Sequence, residues 1–355
     1  MKIVSIKFQL ENLQLSKPYT IAWKTVDHVE NLFCIIGLEN GIQGFGSCNP
    51  ENEVVGVSTR DTLEAQQNLD LDLILGKSID HPLELIDSLY PYLKMVPTLM
   101  AALDIAIWDA WSKSLDKPLV TALGKKIEPL ATSVTIGIMD NDKTNSEAKD
   151  FINQGFTHLK IKIGLNPDQD IERLRLLRES IGFDPVVRTD INQGYQPDDF
   201  KKLVAGCENL AIELYEQPIR ADRFEQMDNL APALKKLVAA DESLHDDTNA
   251  VELAKTGRCG IFNIKLMKCG GLYQANKIAK VAEEYGIDLM WGCNDESRLS
   301  IAAAMHLAYA NSRTRYLDLD GSFDLARDLV SGGFRLNEGK LEPLEKPGLG
   351  VEWLG

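Results

Sequence analysis

From the middle of the chain onward, short apolar runs that end in charged side chains recur about every 25 residues. They are HLKIKIG from His158, VVRTDINQG from Val186, AIELYEQP from Ala211, LVAADES from Leu237, IFNIKLMK from Ile261 and RYLDLDG from Arg315. Runs of this length and composition read as strands, whose side chains alternate between two faces. Lys160 and Lys162 therefore share a face, as do Arg188, Asp190 and Asn192, while Ile161, Ile163, Val187 and Thr189 share the opposite one. Between the runs, stretches such as DQDIERLRLLRES and GLYQANKIAKVAEEYG carry helical periodicity. That alternation predicts an α/β chain folded as a parallel barrel, with the charges gathered at the C-terminal mouths of its strands. TSVTIGI from Thr132 supplies a first strand and LMWGC near Trp291 a seventh, which brings the count to eight.

The first 125 residues follow a different rhythm. KIVSIKFQLENLQL and NLFCIIGLENGIQGFGSC read as antiparallel strands, with Glu39-Asn40-Gly41 as a turn, and helical stretches follow from Thr62, from His81 and from Thr98. The last, TLMAALDIAIWDAWSKSL, is too continuously apolar for a surface helix and is expected to lie buried between domains. The expected organisation is an α+β capping domain over residues 1–125 and a catalytic barrel over 126–321. Residues 322–355 hold too little helix to close a final strand-helix unit, so this tail is expected to return and complete the capping domain.

Composition narrows the functional classes. A net charge of −15 argues against nucleic acid and anionic membrane as partners. The six cysteines are widely spaced with no CxxC pair, which fits free thiols in a reducing compartment. No signal-like apolar block opens the chain and no run of about 18 apolar residues occurs, so a cytoplasmic location is expected. Gly41, Gly44 and Gly46 do not form the GxGxxG turn of a dinucleotide site.

The strand-end charges carry the candidate chemistry. Asp190, Glu216 and Asp241 end three consecutive strands and could converge as hard oxygen ligands on one Mg²⁺. Lys162 and Lys265 belong to strands on opposite sides of an eight-strand barrel, where one could remove a proton from a bound carbon acid and the other return it on the opposite face. Lys160, on the same face as Lys162, would favour a neutral Lys162. Asn192, Gln217, Glu242 and Ser243 could hydrogen-bond to the metal ligands, and Thr135 on the first strand could touch a substrate carboxylate. Lys268 falls out of phase with Lys265 and is expected beyond the barrel mouth, while His158 and His306 read as packing residues and Cys293 as a weak nucleophile candidate.

In these residues the chain resembles the enolase superfamily, specifically the muconate-lactonizing-enzyme subgroup and its dipeptide epimerases. The likeness runs from the capping module through KxK, the Asp, Glu, Asp series and NIKLMKCGG to DLDG and PGLG. The resemblance implies a (β/α)7β barrel with capping loops over the substrate. It also implies Lys162 and Lys265 as an acid/base pair, Lys160 as an electrostatic helper, and Asp190, Glu216 and Asp241 as ligands of one Mg²⁺ per subunit. Asp318 and Asp320, two residues apart, point into one mouth and look like the dipeptide-epimerase signature for a cationic α-ammonium group.

Substrate choice divides the remaining candidates. Lys24 matches a position where L-Ala-D/L-Glu epimerases carry a basic residue, which would favour an acidic side chain. Glu51 in a capping loop and Asp295 beyond the seventh strand would draw a Lys or Arg side chain instead. The favoured expectation is an epimerase of cationic dipeptides, with the L-Ala-D/L-Glu reading as its rival. A cycloisomerase or o-succinylbenzoate-synthase-like dehydratase built on the same lysines is a further alternative. Outside enzymes, the alternative is a metal-stabilised barrel that only binds a small molecule. A homo-oligomer is compatible with the fold.

Overall fold

The computed structural model describes residues 1–20 and 25–355; Lys24 lies outside the described residues. Three antiparallel strands open the chain in the order β1 (Ile3–Thr20), β2 (Thr25–Leu38), β3 (Gln43–Cys48). The turn into β3 places Gly41 at φ 89°, a left-handed conformation natural to glycine. Gly44 and Gly46 answer to packing. A Cβ on them would lie 2.3 Å from the Ala106 carbonyl oxygen and 2.0 Å from that of Ala102, so their bare backbone lets helix Pro97–Ser114 lie directly on the sheet.

That helix is the continuously apolar stretch, and it is buried on almost every side between the sheet and the barrel. Two buried aspartates within it serve as fasteners. Asp104 accepts the backbone N–H groups of Leu272 (2.6 Å) and Tyr273 (3.1 Å) at the start of helix Leu272–Tyr285. Asp109 accepts those of Phe45 (2.8 Å) and Leu349 (2.8 Å) and pairs with Lys113. Burial raises the Asp104 carboxyl to about 7. The helix expected from Thr62 instead spans Thr59–Gln67, because Ser58 and Asp61 form a capping box that fixes its start.

The barrel strands are β4 (Ser133–Ile136), β5 (His158–Lys162), β6 (Val186–Asp190), β7 (Ile212–Glu216), β8 (Val238–Ala240), β9 (Ile261–Ile264), β10 (Asp288–Gly292) and β11 (Thr314–Asp318). They pair in chain order, all parallel, and a parallel bridge between Thr132 and Leu317 joins the last strand to the first. Their register sets the charges level: Lys160 stands opposite Arg188, Lys162 opposite Asp190, and Asp190 opposite Glu216. The tail packs on the opening sheet, with the Trp353 ring 5.5 Å from those of Phe33 and Phe45, and with the Ala326 N–H donating to the Gln14 carbonyl at 2.7 Å.

All six cysteines are free thiols. Among the described residues no helix is long and apolar enough to cross a membrane.

His306 lies fully buried in helix Arg298–Tyr309, where its Nδ1 accepts the Val120 N–H at 2.9 Å. Burial lowers its pKa to about 4. The imidazole therefore stays neutral in the folded chain while the unfolded chain protonates near pH 6.5, so its stabilisation is complete above that value and is lost as pH falls toward 4. Denaturant unfolding at pH 7 and pH 5 should show a His306-dependent loss of about 2 kcal/mol, and His306→Gln should remove that component. An unchanged pH dependence in the variant would contradict it.

Candidate active site

The charged strand ends meet at one mouth of the barrel, and most of their side chains are buried. Lys160 is the hub. Its Nζ lies 2.7 Å from Asp318 Oδ2, 2.9 Å from Glu216 Oε2 and 3.1 Å from Asp190 Oδ2. Burial alone would depress this ammonium, but Asp190, Asp318 and Glu216 outweigh it and hold the group well above a lysine's usual pKa. Lys160 is thus a compensated cation rather than the bare positive neighbour that its spacing from Lys162 suggests. Lys162 is the most open of the set. Its Nζ donates to Asn192 Oδ1 at 2.9 Å and to Asp190 Oδ2 at 3.3 Å.

Across the barrel, Lys265 follows β9 and places its Nζ 2.9 Å from Asp241 Oδ2. Burial again opposes its charge, and Asp241 more than restores it. Lys268 departs from expectation. It does not lie beyond the mouth; it is buried, its Nζ donating to the Asp241 backbone oxygen at 2.5 Å and to Asp241 Oδ1. The reason is local: the chain leaves β9 as a short helix, Leu266–Cys269, and one helical turn swings Lys268 back over Asp241, where a continued strand would have carried it outward.

The three strand-end acids take distinct surroundings. Burial would raise the Asp190 carboxyl, but Lys160 and Lys162 bring it down to about 2. Burial would also raise Asp241, and there Lys265 and Lys268 hold it far below the usual range. Glu216 goes the other way, to about 8, through burial and the neighbouring Asp190. Glu216 Oε1 accepts Asn263 Nδ2 at 2.8 Å, while Oε2, although close to Lys160, receives no well-aligned hydrogen bond among the described residues. Lysines stand between these acids, and among the described residues no group of three or more His, Cys, Asp or Glu is drawn together as a metal cluster.

Charge is nonetheless unbalanced. Among the described residues, Asp190, Glu216, Asp241, Glu242, Asp318 and Asp320 meet only Lys160, Lys162, Lys265 and Lys268, two carboxyl groups in excess. The excess is legible in Glu242, raised to about 7 by burial and then by Asp241, and in Asp320, raised to about 6 by burial and then by Asp318.

A scaffold of hydrogen bonds fixes the acids. Gln217 sits at φ 33°, a conformation unfavourable for a side-chain-bearing residue and here held by its own amide. Its Oε1 accepts the N–H groups of Asp241 (2.9 Å) and Ser243 (3.1 Å), and its Nε2 donates to Ile219 O and to Ser243 Oγ. Asn192, at φ 42°, donates its backbone N–H to Asp190 Oδ1 at 3.0 Å and its side-chain amide to Glu242 at 3.4 Å. Thr135 donates its backbone N–H to Asp320 Oδ2 at 2.7 Å.

The two loops that carry Glu51 and Asp295 are brought together by Asn294, whose Nδ2 donates to Asn49 Oδ1 at 3.3 Å. Glu51 is half-buried at the start of helix Asn52–Val55, and Asp295 is half-buried and already engaged by other groups. His158 is half-buried and held neutral by burial, its pKa lowered to about 4. Cys293 donates to the Asp318 backbone oxygen at 3.3 Å, and burial pushes its thiol far up, which removes it as a nucleophile.

Sequence reasoning does not single out Asn263, Ser133 and Lys268 as site residues. Asn263 and Ser133 each lie two residues before a residue that it does single out, Lys265 and Thr135, so strand phase alone places them on the same inner face. Gly292 makes room for Asn263, since a Cβ there would lie 2.6 Å from its Oδ1.

Comparison with known proteins bears on this arrangement. Residues 3–124 match the mandelate racemase / muconate lactonizing enzyme N-terminal domain, and residues 143–354 match the enolase C-terminal domain-like family. The chain is 45% identical over 352 residues to an L-Lys-D/L-Arg epimerase of Methylococcus capsulatus, covering 99% of each. It is 44% identical over 358 residues to an L-Lys-D/L-Arg epimerase of Desulforapulum autotrophicum, again covering 99% of each. The crystal structure of a dipeptide epimerase from Methylococcus capsulatus, complexed with Mg and the dipeptide L-Arg-D-Lys, superposes with a TM-score of 0.97 at 44% identity, covering 99% of this chain and 100% of that one.

Proposed function

Because the chain belongs to the enolase superfamily, in its mandelate racemase and muconate lactonizing enzyme branch, we propose that it is a Mg²⁺-dependent dipeptide epimerase. It would invert the α-carbon of the C-terminal residue and prefer dipeptides of Lys and Arg. The observation that carries this reading is the pair of lysines, Lys162 ending β5 and Lys265 following β9, on strands four places apart in an eight-strand ring with the acids between them. The kinship with L-Lys-D/L-Arg epimerases supports the choice of substrate.

Asp190, Glu216 and Asp241 fit a hard divalent cation: they offer carboxylate oxygens only, Glu216 Oε2 lacks a well-aligned donor, and the site carries a surplus of negative charge. When bound, Mg²⁺ supplies positive charge that offsets what develops on the substrate carboxylate. The chain's own residues would do the rest. Lys160 adds a fixed positive charge at the floor of the site, so that a carbon acid becomes acidic enough for a lysine to deprotonate. Lys162 and Lys265 face the two sides of the α-carbon, one removing the proton while the other returns one. Asp318 and Asp320 supply the negative mouth for the α-ammonium group, and Thr135 lines the same wall. Glu51 and Asp295 would attract the cationic side chains. Asn192, Gln217, Glu242 and Ser243 keep the acids in place.

Chiral chromatography of L-Lys-L-Arg incubated with the protein tests the reading. With Mg²⁺ the Arg α-carbon should become an L/D mixture; chelation should stop inversion and added Mg²⁺ should restore it. A dipeptide recovered without inversion under Mg²⁺ would refute the function, and inversion that survives chelation would refute the metal.

A further inference from the structure

Lys162 has a side chain 37% exposed, whereas Lys160, Lys265 and Lys268 are buried. The aim of its Nζ therefore depends on the backbone that carries it and on Asn192, whose Oδ1 it meets at 2.9 Å. Lys162 ends β5 and Asn192 follows β6, and the loops beyond these two residues touch backbone to backbone. A Cβ on Gly164 would lie 2.4 Å from the Ile191 carbonyl oxygen, and one on Gly194 would lie 2.2 Å from the Gly164 carbonyl oxygen. Only glycine allows an approach this close, and Gly164 also takes φ 117°.

One buried carboxylate binds both loops. Asp170, in helix Pro167–Ile181, accepts on Oδ2 the Gly164 N–H at 3.0 Å and the Asn166 N–H at 3.3 Å from the loop after β5, and the Tyr195 hydroxyl at 2.6 Å from the loop after β6. Its Oδ1 takes Arg173 Nη1 at 2.7 Å, and Arg173 Nη2 donates to the Met139 carbonyl at 3.2 Å, which ties in the loop after β4. A hydroxyl donating to a carboxylate is among the stronger hydrogen bonds, and burial of both partners keeps water from competing for it. Among the described residues neither Asp170 nor Tyr195 has a hydrogen bond or ion pair to Lys162, Lys265 or the strand-end acids. Their influence on the chemistry passes through the backbone they hold. Lys265 has no share in this arrangement, because it follows β9, leads into helix Leu266–Cys269 and is anchored by Asp241.

We infer that Asp170 and Tyr195 are positioning residues for Lys162: by locking the loop after β5 to the loop after β6, they set where its Nζ stands against one face of the substrate α-carbon. This rests on the dipeptide-epimerase reading, with a lysine on each face. A fastener that served stability alone would act on both faces alike. Loosening this one should slow proton removal from the epimer facing Lys162 and spare the other, since a misplacement of about 1 Å can cost roughly 100-fold in rate.

The experiment offers L-Lys-L-Arg and L-Lys-D-Arg, each alone in D₂O, to the Mg²⁺-loaded wild-type protein, Tyr195→Phe and Asp170→Asn, and mass spectrometry reads the initial rate at which α-protium is lost. The epimer that Lys162→Ala impairs the more is the one facing Lys162. For that epimer Tyr195→Phe, which deletes a single hydroxyl, should slow the loss roughly 3- to 10-fold and Asp170→Asn roughly 10- to 100-fold, while the opposite epimer stays within about twofold in both. Tyr195→Phe decides alone if Asp170→Asn does not fold, with circular dichroism showing that the tested protein is folded. Equal slowing of both epimers, slowing confined to the epimer that faces Lys265, or no slowing of either would overturn the positioning role and leave the epimerase standing. A folded wild-type protein that takes α-protium from neither epimer would overturn the epimerase reading and this inference with it.

Discussion

Replacing either Lys162 or Lys265 by Ala is expected to abolish epimerisation, with a loss of roughly 10²–10⁴-fold in turnover. Lys162 ends β5 and Lys265 follows β9, and strands four apart in an eight-strand ring lie across from one another. A substrate α-carbon between them presents each lysine with one face. Inversion needs both, whereas exchange of the α-proton with solvent needs only the lysine that faces it. Each single variant should therefore still exchange deuterium into one epimer, the opposite epimer in the two variants, while neither inverts. Retained inversion in either variant would rule out a two-base mechanism, and circular dichroism with calorimetric Mg²⁺ binding would show that the site survived the substitution. The Lys265 variant carries an extra consequence, since Asp241 would keep Lys268 as its remaining ion-pair partner.

The second large effect concerns substrate choice. Glu51→Gln combined with Asp295→Asn should lower kcat/KM for Lys- and Arg-containing dipeptides by roughly 10- to 100-fold, from charge-assisted contacts worth about 1.5–3 kcal/mol each when desolvated. The lower end of that range allows for the half-buried setting of both residues, where solvent screens part of the attraction. An apolar dipeptide such as L-Ala-L-Leu should lose little, so its relative efficiency rises. The two loops meet through Asn49 and Asn294, which gives the carboxylates a shared boundary from cap and barrel. If the double variant lost activity equally on cationic and apolar dipeptides, its carboxylates would be structural and the preference would reside elsewhere.

Much of this site is legible in the amino-acid sequence. Strand periodicity alone puts Lys160 with Lys162, and Arg188 with Asp190, on inward faces, because a side-chain period of two leaves little freedom once the opposite face is apolar. The buried helix Pro97–Ser114 is equally plain from its unbroken apolar run. Periodicity does not report geometry that depends on a change of backbone state or on distant loops. Lys268 ends up over Asp241 rather than beyond the mouth, and nothing in NIKLMKCGG marks where strand gives way to the helical turn responsible. The link between Asn49 and Asn294 joins residues 245 positions apart and leaves no periodic trace. Asp318 and Asp320 look alike in sequence because spacing reports which way a side chain points and says nothing of the partners waiting there.

What sets the proposed enzyme apart is that its site labilises the α-proton of a cationic dipeptide. Mass spectrometry of deuterium incorporation in D₂O with Mg²⁺ tests it most directly, on a mixture that includes L-Ala-L-Lys, L-Lys-L-Arg, L-Ala-L-Glu and L-Ala-L-Leu. The Lys- and Arg-ended dipeptides should gain one deuterium well ahead of the others. Labelling led by L-Ala-L-Glu would contradict the cationic preference, and no labelling of any dipeptide by folded, metal-loaded protein would contradict the epimerase itself.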